Sequence, residues 1–284
     1  MQLIINADDF GCSHTINKAI ILAHQQGILT STSLMVSGEA ADEAIHLAQT
    51  LPSLAVGLHI VLVSGRAVLP PKEIPHLVDQ NGNFPNNPLV AGLRCGFNSA
   101  VRAELKREIE AQFDRFVSTG LLLDHVDSHE HFHIHPSIFP VLLSYAREYG
   151  ARGLRLPHDV LSRALKYDSV SPGLKIVWAL FFGFFDHLYR PQAKRADLTV
   201  TDHVFGLYQT GQMREEYVLN LLNNMHPESA EIFFHPDTAE GGPALGPNPG
   251  DLATLLSSSV REAVYQGNIT LSTYTKLKVT EHGI

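Results

Sequence analysis

The sequence predicts a single α/β domain, residues 1–284, built as a distorted (β/α) barrel of seven to eight strands. Three observations lead there. Strand-like and helix-like patterns alternate from end to end, about eight strands and seven helices, as parallel βα units require. No repeat or linker divides the 284 residues, a length that one barrel fills. Four of the strand patterns end on acids or histidines, and α/β barrels keep their chemistry at the carboxyl ends of strands.

The elements follow in order. Leu3-Ile4-Ile5 is a compact apolar strand running into Asn6-Ala7-Asp8-Asp9-Phe10-Gly11, expected to be a loop. Ser13 caps a helix whose Ile16, Ala19, Ile20 and Ala23 share one face, and Gly27 closes it. Thr32–Val36 is a second strand, followed by an Ala-rich helix over Glu39–Thr50. Leu54–His59 is a third strand, ending on a histidine. Residues 64–99 are rich in proline and glycine, lack sustained periodicity and read as a long inserted loop. Leu105, Ile109, Phe113 and Phe116 then mark a helix that stops at Gly120.

The next stretch organises the rest. Residues 124–136, Asp-His-Val-Asp-Ser-His-Glu-His-Phe-His-Ile-His-Pro, hold five of the sixteen histidines. Its first half reads as a strand of mixed polarity, and Pro136 opens a helix carrying Ile138, Val141, Leu142 and Tyr145. Gly153–Leu156 is a further strand, 174–189 an apolar helix, Asp197–Thr201 a strand and Glu215–Asn224 a helix. Glu231–Phe234 leads to His235. A Gly/Pro-rich loop (241–250), one helix through Leu252, Leu255, Val260 and Val264, and the strand Ile269–Ser272 complete the pattern.

Composition narrows the function. Apolar content of 44% with 18% charged residues supports a large core. A net charge of −8 without a basic run argues against nucleic acid, whose binding rests on Lys and Arg at phosphates. Cys12 and Cys95 form no disulfide framework, and the N-terminus has no signal-peptide pattern, so a cytoplasmic protein is expected. Ile176–Phe185 is half of what a membrane span needs.

Asp8 and Asp9, His59, the 124–135 run and His235 supply polar groups at four strand ends. One carboxylate and two imidazoles there would bind a divalent ion and leave coordination positions open. A second carboxylate could take a proton from a water, and an imidazole opposite could protonate a leaving group. Adjacent acids can also serve as a helix cap and its solvated neighbour. A single histidine ending an apolar strand is often only a hydrogen-bonded core residue.

These residues resemble the YdjC-like carbohydrate deacetylases, which include chitooligosaccharide deacetylases. The likeness rests on Ala7-Asp8-Asp9-Phe10-Gly11, Gly57-Leu58-His59, Asp127-Ser128-His129 with His131 and His133, and Phe234-His235-Pro236. Arg66–Pro71, Leu77-Val78-Asp79 and Asn81–Phe84 further resemble the hopanoid-biosynthesis-associated HpnK branch. The resemblance implies a distorted barrel that removes the N-acetyl group of an N-acetylglucosamine-type sugar, lipid-linked in that branch. It implies one divalent ion, zinc, magnesium or another, held by Asp9, His59 and His129, with Asp8 as base and His235 as acid. His129 and His133 also have a His-x-x-x-His spacing, which leaves the second imidazole open between His59 and His133. Asp127, His131, His133 and Arg155 are candidates for supporting or substrate-binding roles.

The alternatives are a deacetylase of soluble chitooligosaccharides, a metal-dependent phosphoesterase and a non-catalytic metal-binding protein. The apolar stretch 173–185 reads either as a buried or subunit-interface helix, giving a homodimer, or as an exposed patch. In the second case Trp178, Phe182 and Phe185 would contact a lipid tail or the membrane surface, with Lys175 and Arg190 at the rim.

Overall fold

In a computed structural model, which describes residues 1–97, 99–167, 171–225, 227–242 and 246–278, a parallel sheet curls into a distorted barrel. Its strands are β1 (Gln2–Phe10), β2 (Ser31–Leu34), β3 (Ala55–Ile60), β4 (Leu123–Ser128), β5 (Gly153–Leu154), β6 (His203–Phe205), β7 (Ser229–Phe234) and β8 (Thr270–Ser272). They run in the order β5-β4-β3-β2-β1-β7-β6. One edge of β1 is divided: β8 pairs with Gln2–Ile4, and β2 takes over from Asn6. The outer strands approach each other where Thr199 bridges Gly153 in parallel, and Leu154 N–H donates to Thr199 O at 2.9 Å.

Helices α1 (His14–Gln26), α2 (Ala41–Gln49), α3 (Pro88–Phe97), α4 (Ser99–Ser118), α5 (Phe139–Glu148), α6 (Leu161–Tyr167), α7 (Pro172–Arg195), α8 (Glu215–Asn224), α9 (Pro249–Leu256) and α10 (Ser258–Gln266) surround the sheet. Caps set several ends. Ser13 Oγ accepts from Ile16 N–H to start α1, and Asn248 Oδ1 accepts from Asp251 N–H to start α9. The helix expected to run unbroken from Leu252 to Val264 is two, because Ser257 Oγ accepts from Val260 N–H and starts a new one.

Other boundaries moved. β1 continues through Asp8 and Asp9 to Phe10, where a loop was expected. The strand anticipated at Asp197–Thr201 forms instead at His203–Phe205; left-handed backbone at Asp197 (φ 59°) interrupts the earlier stretch. Within the expected 64–99 loop, Pro88–Phe97 form α3, which turns the small Ala91 and Cys95 inward and leaves Leu89 and Leu93 exposed. Residue 98 of that stretch and residues 243–245 of the Gly/Pro-rich loop lie outside the described residues.

The loop before α3 is firmly held. Glu104, Glu108 and Gln112, one turn apart on α4, are all buried. Glu108 accepts from Val68 and Leu69 N–H at 2.8 and 2.9 Å, and Gln112 pairs with both backbone groups of Val61. Glu104 accepts from His76 N–H at 2.9 Å. Polar groups buried this deeply need such partners.

α7 reverses one expectation. Trp178, Phe182 and Phe185, proposed as the lipid-contacting aromatics, are half-buried and pack inward. The exposed residues are Leu174, Ile176, Val177, Leu180, Phe181, Phe184 and Leu188. The helix is apolar nearly all round, so its phase was not legible from composition. Among the described residues no helix is long and apolar enough to cross a membrane.

Candidate active site

Alternate residues of a strand face the same side. Asn6 and Asp8 of β1, Ser33 of β2, His59 of β3, His125 and Asp127 of β4 and Glu231 of β7 thereby point into the barrel, where they bond to one another or to Arg155. Gly57 leaves room for the His125 ring, which a Cβ there would strike. Asp9, next to Asp8, should face the other way. Its backbone is left-handed (φ 66°), and the β1–β2 register shifts between Ala7 and Phe10. This bulge swings the Asp9 carboxylate to the carboxyl-end mouth beside Asp8.

At that mouth Asp9 meets two imidazoles. His129 Nδ1 lies 3.0 Å and His59 Nε2 3.5 Å from Asp9 Oδ1. The donor atoms of the three residues lie within 4.8 Å of one another. His59 Nδ1 is held by Asp127 Oδ1 at 2.7 Å, which leaves Nε2 facing Asp9 and matches the way metal-bound imidazoles are usually braced. Burial opposes charge on all three groups, but attraction wins: His129 holds Asp9 well below the usual carboxylate range, Asp127 and then Asp8 raise His59, and Asp9 raises His129 to about 8. A divalent ion fits this donor set. The neighbouring interior sets three carboxylates, Asp8, Asp127 and Glu231, against the guanidinium of Arg155.

Arg155 is fully buried. Its Nη1 and Nη2 each reach Asp8 at 2.8 Å, Nη1 reaches Asp127 Oδ2 at 2.6 Å, and Nη2 reaches Glu231 at 2.6 Å. Burial alone would raise the Asp8 pKa, but the Arg155 charge turns the shift downward and keeps the carboxylate ionised. So enclosed a side chain fits the supporting role expected for Arg155 and not the substrate-binding one. Asp8, His59 and Asp127 form a second acidic group, and the Arg155 guanidinium bridges its two carboxylates. Across the mouth, His235 Nε2 lies 3.8 Å from Asp8 Oδ2, and its backbone N–H donates to Asp251 at 2.9 Å.

The other loop histidines point elsewhere. Both ring nitrogens of His133 are engaged, Nδ1 with Ser128 Oγ and Nε2 with Arg155 O, each at 2.8 Å. The geometry thus favours His59 over His133 as second imidazole. His131 packs edge-on against Phe182 and Phe233, with burial holding its pKa well below the ordinary value. Glu130 and His131 are both left-handed (φ 53° each), a kink that turns the chain sharply after His129. Sequence reading missed Glu231 and Tyr274, and took Asp124 and His125 only as part of the 124–135 run without their place in the interior network. Tyr274 Oη donates to Glu231 at 2.6 Å, and Asp124 lies 3.1 Å from His125 Nδ1. The one signal was the two-residue spacing of Asn6 and Asp8 on β1 and of His125 and Asp127 on β4.

A family model described as YdjC-like protein matches residues 2–266. A carbohydrate deacetylase of Brevibacillus brevis is 44% identical over 149 residues, 52% of this chain and 57% of that protein. The chain therefore spans little over half the length of that relative. A carbohydrate deacetylase of Clostridium beijerinckii is 30% identical over 277 residues, covering 95% of this chain and 98% of the relative. Among solved structures, a protein of Enterococcus faecalis V583 assigned provisionally to cellobiose-phosphate cleavage superposes with a TM-score of 0.76. It is 27% identical and matches 96% of this chain and 97% of its own. With the family model matching nearly from end to end and the Clostridium relative aligned over almost its whole length, the chain belongs to the YdjC-like protein family.

Proposed function

We propose that the protein is a metal-dependent carbohydrate deacetylase that hydrolyses the N-acetyl group of an N-acetylglucosamine-type sugar. The observation that carries this reading is the convergence of Asp9, His59 and His129 beside a carboxylate, Asp8, and an imidazole, His235. The relatives named carbohydrate deacetylases support it. Asp9, His59 and His129 would hold a divalent ion, which when bound would supply Lewis-acid polarisation for the acetyl carbonyl and for a water. Asp8, kept ionised by Arg155, accepts the proton of the attacking water. Asp127 fixes the His59 ring through Nδ1. His235 donates a proton to the nitrogen as the C–N bond breaks, leaving acetate and the free amino sugar.

The finer reading places the chain, as one unit over 1–284, in the hopanoid-associated branch. It would act on a lipid-linked sugar at the cytoplasmic face of a membrane. Its support is the exposed apolar face of α7, a helix whose inward side meets the His-rich loop through the 5.9 Å contact of Phe182 with His131.

Acetate release tests the function. The protein is stripped by chelator, reloaded with zinc or magnesium, and assayed on N-acetylglucosaminyl lipids, chitooligosaccharides and a phosphomonoester. Asp9→Ala, His59→Ala and His129→Ala should each lose both bound metal and turnover. Asp8→Asn should keep the metal and lose about 10²–10⁴-fold in kcat. Undiminished deacetylation by stripped protein, or turnover of the phosphomonoester alone, refutes the proposal.

A further inference from the structure

Beside the candidate site lies an open groove of about 1060 Å³ between the 64–87 loop and the α3–α4 pair. None of the site residues lines it. Ser64 and Asn86 stand at one end, His76, Asp79 and Asn83 along the loop wall, and Leu93 and Arg94 on α3. The Ser64 end joins the site directly. Ser64 Oγ donates to Glu130 Oε1 at 2.6 Å, and that oxygen lies 4.0 Å from His129 Nε2.

We infer that this groove is the subsite for the further sugar residues of a neutral glycan whose N-acetylated unit sits at Asp8, Asp9 and His129. The inference rests on the deacetylase reading and adds where the rest of the substrate lies.

Three features carry it. The volume is at the upper end of what specific ligand sites use, more than one reacting sugar needs. The lining mixes hydroxyl, amide, carboxylate and imidazole groups with the apolar faces of Pro75, Val78 and Leu93. A pyranose presents the matching pattern, hydroxyls around its rim and C–H groups on its face. Among the described residues Arg94 is the only guanidinium or ammonium in the lining, which does not make an anion site. The wall is also built to hold a shape. Glu104, Glu108 and Gln112 fasten residues 61–76 from beneath, with buried hydrogen bonds that a mobile insertion would not need. His76 Nδ1 lies 2.5 Å from Glu104, so the imidazole that lines the groove is itself anchored.

The test compares the full-length protein with Leu93→Trp, which adds bulk to the groove from an exposed position, and with Arg94→Ala. Tyr265→Ala, an exposed residue on α10, is the control. Calorimetric binding of the β-1,4-linked trisaccharide of N-acetylglucosamine is read alongside kcat/KM for trisaccharide and monosaccharide. Wild type and control should bind the trisaccharide and prefer it in turnover, while both groove variants weaken binding and narrow that preference by about tenfold or more. Folding is checked by melting temperature. Absent trisaccharide binding in wild type, or folded groove variants that bind like wild type, overturns the subsite. Trisaccharide binding that the groove variants abolish, without acetate release from any sugar, upholds the subsite and sinks the deacetylase reading.

Discussion

Replacing Arg155 by methionine tests whether one guanidinium holds the acids of the barrel interior together. Methionine keeps most of the length and none of the charge. Asp8, Asp127 and Glu231, each bonded to Arg155 at 2.6–2.8 Å, would then face one another without a cation. Breaking a buried ion pair from one side costs about 3–5 kcal/mol. For a domain of this size that corresponds to roughly 10 °C in melting temperature. The loss should depend on pH. In the wild type Asp8 and Asp127 are held below the ordinary value of 3.8, so their stabilisation is present above that value and fades only as pH falls through the depressed one. In the variant the crowded carboxylates favour protonation instead, so stability falls as pH rises. The deficit should therefore grow from pH 5 to pH 8. Arg155→Lys keeps the charge but not the fork that grips two carboxylates at once, and should fall between. Melting curves of chelator-treated protein measure this directly. A variant melting within about 2 °C of wild type at pH 7.5 would refute the reasoning.

Two further outcomes follow from other parts of the molecule. Burial pushes the His133 pKa down to about 4 from the ordinary 6.5. Its stabilisation is complete above 6.5 and is lost as pH falls towards 4, so the melting temperature should drop through that window. His133→Gln should flatten the drop by up to about 1.4 kcal/mol per pH unit, and an unchanged slope removes His133 as its source. On α7, Phe181→Ser with Phe184→Ser should reduce co-sedimentation with phospholipid vesicles by about tenfold or more, leaving melting unchanged. Should wild type ignore vesicles and run as a dimer that the double variant dissociates, the helix face is a subunit contact instead.

Much of this fold is written in local pattern. Apolar runs and Ser13 capping gave β2, β3, β4 and α1 within a few residues, because both depend on neighbours in the chain, while β1 ran five residues past its expected end. The break at Ser257 was missed although its cap is local, since apolar spacing ran on across it. α3 was missed because its large apolar residues, Leu89 and Leu93, face water and only the small Ala91 and Cys95 mark its inner side. At the site, the residue types and strand ends were legible, whereas the pairing was not. Nothing local tells that Glu231 and Asp8 share Arg155, 76 and 147 residues away along the chain. Nor does composition reveal that His133 spends both nitrogens on Ser128 and Arg155 while His59 keeps one facing Asp9.

The left-handed backbone at Asp9, Ser64, Glu130 and His131 has a consequence for how this sequence can vary. Asp9 belongs to the candidate site, Glu130 and His131 directly follow His129, and Ser64 bonds to Glu130. Left-handed backbone disfavours every residue with a Cβ, β-branched ones most. Substitutions there must satisfy the chain's turn before they can satisfy any ligand. Aspartate at position 9 meets both demands, since it tolerates left-handed backbone better than glutamate does. A glutamate could offer the same carboxylate from a longer arm, yet it would strain the bulge that aims it. At these positions the backbone narrows the alphabet before the chemistry does.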